Sequence, residues 1–197
     1  MKKIFFLALF AIVTVTTIQA QIKFGVKAGA NFSKFSGSDA KLDDISPKFK
    51  VGFAGGGLVN IKINEMLSVQ PELLYSMEGT KYSQDGDKLI YKTDYINIPI
   101  MVQYNTTSGF YAETGPQVGF LISAKATDGD NSVDVKDSFK GINFSWGVGL
   151  GYKLPAGIGI GARYNFGLAN IVDDGDSKVQ LGGLHVGVFY TFGGSGE

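Results

Sequence analysis

The chain contains no cysteine. That absence excludes a disulfide scaffold, a cysteine-ligated metal centre and a lipid anchor attached to cysteine after export. Histidine is found once, at His185. No nucleophile–base arrangement stands out around it, and the alternation described below points it into the interior, as a packed histidine. Beyond the first twenty residues, no apolar run approaches the roughly 20 residues that a membrane helix needs. Formal net charge is zero, so nothing draws the whole protein to nucleic acid or to an acidic surface. Only 5 prolines are present against 28 glycines, with 15 Phe and 9 Tyr, which suits strands more than a proline-rich linker.

The N-terminus has its own character. Met1, Lys2 and Lys3 form a basic start, and residues 4–13 form an apolar core. A Thr-rich stretch then runs to Ala20. This is the pattern of a secretory leader, with cleavage expected between Ala20 and Gln21. Residues 1–20 are therefore set apart from the fold, residues 21–192 form the expected barrel, and 193–197 a short tail.

From Ile22 to Phe192 the chain alternates with period two, the signature of half-buried strands. One face of the first strand is Ile22, Phe24, Val26, Ala28, Ala30 and Phe32, and the other is Lys23, Gly25, Lys27, Gly29 and Asn31. The clearest run sets Ile142, Phe144, Trp146, Val148, Leu150 and Tyr152 against Asn143, Ser145, Gly147, Gly149 and Gly151. Six further runs behave alike: 51–61, 67–76, 95–104, 110–123, 158–166 and 184–192. In the fifth run Ser123 is expected on the polar face. Each run is about as long as a tilted strand needs to cross a bilayer, roughly 9–11 residues.

The connections alternate too. Short turns at 64–65, 105–109 and 155–157 are interleaved with longer polar loops, the longest being 33–48. Short periplasmic turns and long outer loops are the habit of outer-membrane barrels. Period two does not say which face points in, and a soluble barrel would alternate equally well. The polar face decides. It is mostly Gly, Ser, Asn and Gln, whereas a water-exposed exterior would carry many Lys and Glu. Small residues fit the bore of an eight-stranded cylinder, and Tyr, Phe and Trp gather near strand ends as interfacial girdles do. The expected fold is all-β: an eight-stranded antiparallel up-and-down transmembrane β-barrel in the outer membrane of a Gram-negative bacterium. Pro71, Pro99 and Pro116 each remove a ladder donor and are expected at bulges or strand ends.

Four segments carry a family resemblance: Phe24-Gly25-Val26-Lys27-Ala28-Gly29-Ala30-Asn31-Phe32-Ser33, Tyr95-Ile96-Asn97-Ile98-Pro99-Ile100, residues 115–125 from Gly115-Pro116-Gln117, and Gly161-Ala162-Arg163-Tyr164-Asn165-Phe166-Gly167-Leu168. In combination they resemble the PorT-like outer-membrane barrel family of Bacteroidetes. The resemblance implies an eight-stranded barrel, and for some members a tie to protein secretion and gliding. It does not imply one activity. The last strand also resembles the assembly signal of such barrels: Val186, Val188, Tyr190 and Phe192 alternate and end on an aromatic. That implies recognition by the barrel-assembly machinery, although here residues 193–197 follow the aromatic.

The sharpest expectation concerns the bore. Lys27, Glu72, Glu113 and Arg163 all fall on the inward face, on strands one, three, five and seven. All four should reach a similar depth and form a neutralising network, with His185 and Asn97 as hydrogen-bond partners. The Asp-rich loops (Asp128, Asp130 and Asp134; Asp173, Asp174 and Asp176) miss the calcium-loop pattern, because Val133 stands where it needs Gly and Phe139 where it needs Glu. They read as turns. No metal, no cofactor and no nucleic acid is expected. The partners expected are outer-membrane lipid, the assembly machinery, and envelope or secretion proteins. The leading functional reading is a structural or interaction protein. A secretion accessory and an envelope-lipid-modifying enzyme are the alternatives.

Overall fold

The computed structural model describes residues 22–42, 45–84, 87–129, 131–173 and 177–192; the expected leader and tail lie outside them. The strands are β1 (Ile22–Ser36), β2 (Lys48–Lys62), β3 (Leu67–Gln84), β4 (Asp87–Asn105), β5 (Phe110–Asp128), β6 (Asn131–Asp134), β7 (Ile142–Lys153), β8 (Ile158–Gly167) and β9 (Gln180–Thr191). Eight of them pair antiparallel in a ring, β1-β2-β3-β4-β5-β7-β8-β9, closed by β1 against β9 from Gly25↔Thr191 to Ser36↔Gln180. Closure leaves no sheet edge for lipid to meet. The short β6 lies outside the ring and pairs only with the end of β5.

Three tight turns share one end of the cylinder. At residues 154–157 the Gly157 N–H donates to the Leu154 carbonyl at 3.1 Å, and Gly157 takes φ 84°, a left-handed conformation that suits glycine. Residues 106–109 repeat this with Gly109 at φ 95°. In the third turn the Asn64 side-chain oxygen accepts from the N–H groups of Met66 (2.9 Å) and Leu67 (2.8 Å), as Asx turns do. The longer connections lie at the other end.

The apolar residues of the alternation face outward. Phe24, Leu150, Ile160 and Val188 are all more than half exposed. A continuous apolar exterior on this scale marks contact with lipid, not water. On it the Trp146 indole N–H donates to Thr114 Oγ1 at 2.8 Å, and that hydroxyl donates to the Gly147 carbonyl at 3.0 Å.

The three prolines differ from expectation. They lie inside β3, β4 and β5, and neither register shift, at Phe49/Ala54 or at Asp94/Tyr95, coincides with one. Instead the ladder skips a few pairs beside each proline and resumes in the same register, as between Leu58↔Glu72 and Ile61↔Val69 next to Pro71. The gap faces the preceding strand each time. A missing donor costs a local rung, and the flanking pairs hold the register. The shift at Asp94/Tyr95 inserts one residue on β5, so Ala124 turns inward, fully buried, and Ser123 is only half-buried.

The β3–β4 hairpin also outruns the expected strands, staying paired up to Gln84↔Asp87. Inward Thr80, Tyr82, Tyr91 and Thr93 continue the alternation past the bilayer. Tyr82 stacks edge-on to Tyr91 (centroids 6.1 Å apart), Tyr91 packs on Phe35 at 6.0 Å, and Phe35 packs on Phe139 at 5.9 Å. With Leu121, Ile171, Val179 and Leu181 these rings form an apolar cap inside the loop end. A smaller cluster of Leu58, Tyr111 and Phe189 lies toward the turn end. The layer between the two is polar.

Candidate functional site: the closed bore

Four strands deliver one charge each to the middle layer. Lys27 comes from β1, Glu72 from β3, Glu113 from β5 and Arg163 from β8, and all four are buried. Inward parity sets the face; the stagger between strands sets the depth. Arg163, the sole arginine of the chain, spans the bore. Its Nη1 and Nη2 donate to the two oxygens of Glu72 at 3.0 and 2.8 Å, and its Nε donates to Glu113 Oε1 at 2.7 Å. A planar guanidinium is suited to such a fork, and charge-assisted bonds of this kind are the strong ones. Lys27 Nζ donates to both Glu72 oxygens, at 3.2 and 3.4 Å.

Gly149 of β7 is opposite Glu113 on one side and Arg163 on the other. A Cβ there would sit 2.9 Å from Glu113 Oε1, so glycine lets the ion pair pass over β7. Two cations and two anions balance, which removes the cost of a lone charge in a dry bore.

Neutral side chains complete the layer. Gln70 Nε2 donates to Glu72 Oε1 at 2.8 Å, and Gln103 Nε2 donates to Glu113 Oε2 at 2.9 Å. Toward the turn end Lys153 Nζ donates to Gln103 Oε1 (2.8 Å) and Asn105 Oδ1 (2.6 Å), and it lies 4.9 Å from the Tyr111 ring centroid. Gln70 shares the parity of Glu72 in the run 67–76, Gln103 that of Asn97 in the run 95–104, and Lys153 continues that of Gly149 and Gly151, while none of the three has a partner legible in the sequence. Their inward parity was the available signal; their partners depend on cross-strand stagger.

His185 and Asn97 sit elsewhere than expected. Asn97 Nδ2 donates to Glu78 Oε1 at 2.7 Å, and His185 Nδ1 pairs with Asn31 Oδ1 at 3.0 Å. Neither hydrogen-bonds the four charges. Their partners Asn31 and Glu78, with Gln117, Asn143 and Ser145, line a cavity of about 10 Å³ above the four charges, no larger than a water needs. Val186, Val188, Tyr190 and Phe192 all face outward, with the Tyr190 and Phe192 rings 5.4 Å apart. Among the described residues no group of three His, Asp or Glu side chains is close enough to hold a metal; Asp130, Asp174 and Asp176 lie outside them.

Residues 19–173 match a family model described as an outer membrane protein beta-barrel domain. Among solved structures, the chain is similar to Ail, the attachment invasion locus protein of Yersinia pestis, solved with the heparin analogue sucrose octasulfate. Identity is 18%, coverage 87% of this chain and 99% of that one, and TM-score 0.51. It is also similar to Neisserial surface protein A, at 20% identity over 86% of this chain and 97% of that one, with TM-score 0.51. At such identities the likeness is one of fold. No curated protein matches the chain in sequence.

Proposed function

This chain belongs to the outer membrane protein beta-barrel domain family and resides in the outer membrane of a Gram-negative bacterium, and from that premise we propose that it acts there as a closed barrel, a structural and interaction protein and not a pore. The observation that carries the reading is the Arg163 bridge, which ties β8 to β3 and β5 across the bore with Lys27 alongside. The apolar cap closes the loop end above it. An eight-stranded bore has room for side chains and little else. Reconstituted into planar bilayers, the protein should give no steady conductance. A stable open level of porin size would overturn the reading.

The interaction surface is then the loop end, with its raised β3–β4 hairpin facing the cell exterior and the three tight turns facing the periplasm. Labelling of intact cells at an introduced cysteine should succeed at Asp39 and fail at Thr107; the reverse pattern inverts the orientation. Residues 1–20 serve as the leader, 21–192 as the barrel and 193–197 as a tail, so N-terminal sequencing of outer-membrane material should begin at or near Gln21. Val186, Val188, Tyr190 and Phe192 are the surface offered to the assembly machinery. The four resembling segments support a finer reading, an accessory role in secretion, which a deletion strain tested for its secreted proteins would check. His185, held by Asn31 inside the bore, lends nothing to a lipid-modifying enzyme.

A further inference from the structure

The register brings lysines face to face at the loop end. Lys48 of β2 is directly opposite Lys81 of β3, and Lys92 of β4 is directly opposite Lys125 of β5. Lys81 and Lys92 are diagonal neighbours, since Lys81 pairs with Ile90 and Lys92 with Gly79. Four adjacent strands thus carry an unbroken row of lysines, in which the Lys48 Nζ donates to the Ser83 carbonyl at 3.4 Å. Lys34 of β1 extends it, with its Nζ 4.9 Å from the Phe49 ring centroid. Lys48, Lys92 and Lys125 are exposed, and Lys34 and Lys81 half-buried. The strands β8 and β9 carry no lysine, so the row on the strands ends before them, and on that side the loop end carries Lys136, Lys140 and Lys178 in its connections.

Like charges directly opposite on paired strands destabilise the pairing. Here two such pairs stand side by side, and among the described residues none of these lysines forms an ion pair. Asp134 is directly opposite Lys125 on β6; its Oδ1 accepts the Lys136 N–H at 2.9 Å, and its carboxylate offsets one of the four opposed lysines, which leaves the row with a net positive charge. Asp94 lies on the membrane side of Lys92 along β4. The row lies just beyond the apolar band: Lys81 follows Met77 by four residues, Lys92 precedes Ile96 by four, and Lys125 follows Ile122, those three neighbours lying on the outward face. At about 3.3 Å per residue along tilted strands, the ammonium groups reach the headgroup layer of a bilayer, and long lysine stems reach toward it as well.

We propose that this row binds the phosphate groups of an anionic outer-leaflet lipid, the anions bridging the opposed lysines and relieving their repulsion. The proposal rests on the outer-membrane location and the outward loop end, and is independent of whether the bore conducts.

The test uses the full chain refolded in zwitterionic micelles and native mass spectrometry of retained lipid. The probes are dipalmitoyl phosphatidic acid and dipalmitoylglycerol, which share acyl chains and differ by the phosphate. A single lysine near an anionic lipid surface strengthens association roughly fivefold. The wild type should therefore prefer the phosphorylated lipid strongly. Lys48→Gln, Lys81→Gln, Lys92→Gln and Lys125→Gln combined should reduce that preference by several hundredfold, roughly fivefold for each lysine, with the heat-dependent gel mobility of the folded barrel unchanged. The corresponding quadruple arginine variant should keep it. An equal preference in wild type and folded glutamine variant overturns the proposal. So does displacement of the phosphatidic acid by equimolar inorganic phosphate, which would make this a free-anion site. Conductance in the planar-bilayer assay would refute the closed bore and leave this result standing.

Discussion

Replacing Arg163 by alanine removes three charge-assisted hydrogen bonds at once. What stays behind sets the magnitude. Glu72, whose side chain is 0% exposed, keeps Lys27 and Gln70. Glu113 keeps only the neutral Gln103 and is left as a buried carboxylate without a direct cation. The bore changes from neutral to one net negative charge. Breaking a buried pair by removing one partner costs about 3–5 kcal/mol, because the other charge is stranded. We expect a loss of about 4 kcal/mol, within that range. With a urea dependence on the order of 2 kcal/mol per molar, the unfolding midpoint in micelles should fall by about 2 M. Glu113→Gln added to Arg163→Ala removes the stranded charge and should recover roughly half of the loss, since Gln is neutral and nearly isosteric. Arg163→Lys should recover less than wild type, because one ammonium does not reach two carboxylates in a planar fork. A loss below about 1 kcal/mol, the level of a solvated ion pair, would refute the reasoning. So would a double variant no more stable than Arg163→Ala.

Gly149→Val places a branched side chain against Glu113 and should cost about 1–3 kcal/mol by overpacking, read as a lower urea midpoint, whereas the same change at exposed Gly141, with nothing within 4 Å of a Cβ, should be nearly silent. Trp146, the single tryptophan, faces outward, so in vesicles its fluorescence should be quenched by bromine on lipid chains and not by aqueous iodide; the opposite result would invert the inside–outside assignment. At the loop end Asp39 Oδ2 accepts from the Lys178 N–H and from the Ser38 hydroxyl, both at 2.8 Å, and the backbone bond first of all holds its carboxyl below the ordinary aspartate value of 3.8. A depressed acid stabilises the folded form above its unfolded value and loses that contribution as pH falls through the folded value. Protection of the Lys178 amide against hydrogen exchange should therefore be constant at neutral pH and weaken only below about pH 4, and Asp39→Ala should remove that step.

The strands differ in how much of them is legible in the sequence. Side chains on a strand alternate strictly, so the inward or outward sense of Lys27, Glu72, Glu113, Arg163 and Trp146 follows from position alone. Scarce charge on the polar face and aromatics at strand ends then separate a lipid-facing exterior from a watery one. Turn chemistry at Asn64, Gly109 and Gly157 marks one end of the cylinder. The extent of β3 and β4 escaped this reasoning. Their outer halves look like polar loop until Tyr82 and Tyr91 are seen packed beside Phe35 and Phe139, residues distant in sequence.

Partners across the bore needed the tertiary structure altogether. Period two says that a side chain points inward. It does not say how high it stands against the next strand, and one residue of stagger moves a side chain by about 3.3 Å, the length of a hydrogen bond. That is why Asn97 meets Glu78 and His185 meets Asn31 while Arg163 meets two glutamates. The same stagger, with one extra residue on β5, decides that Ala124 turns in and that Lys92 meets Lys125. Alternation, composition and turn chemistry dictate the faces, the count of crossing strands and the ends; depth and pairing come from the closed sheet, because they depend on register summed around the ring and not on any single strand.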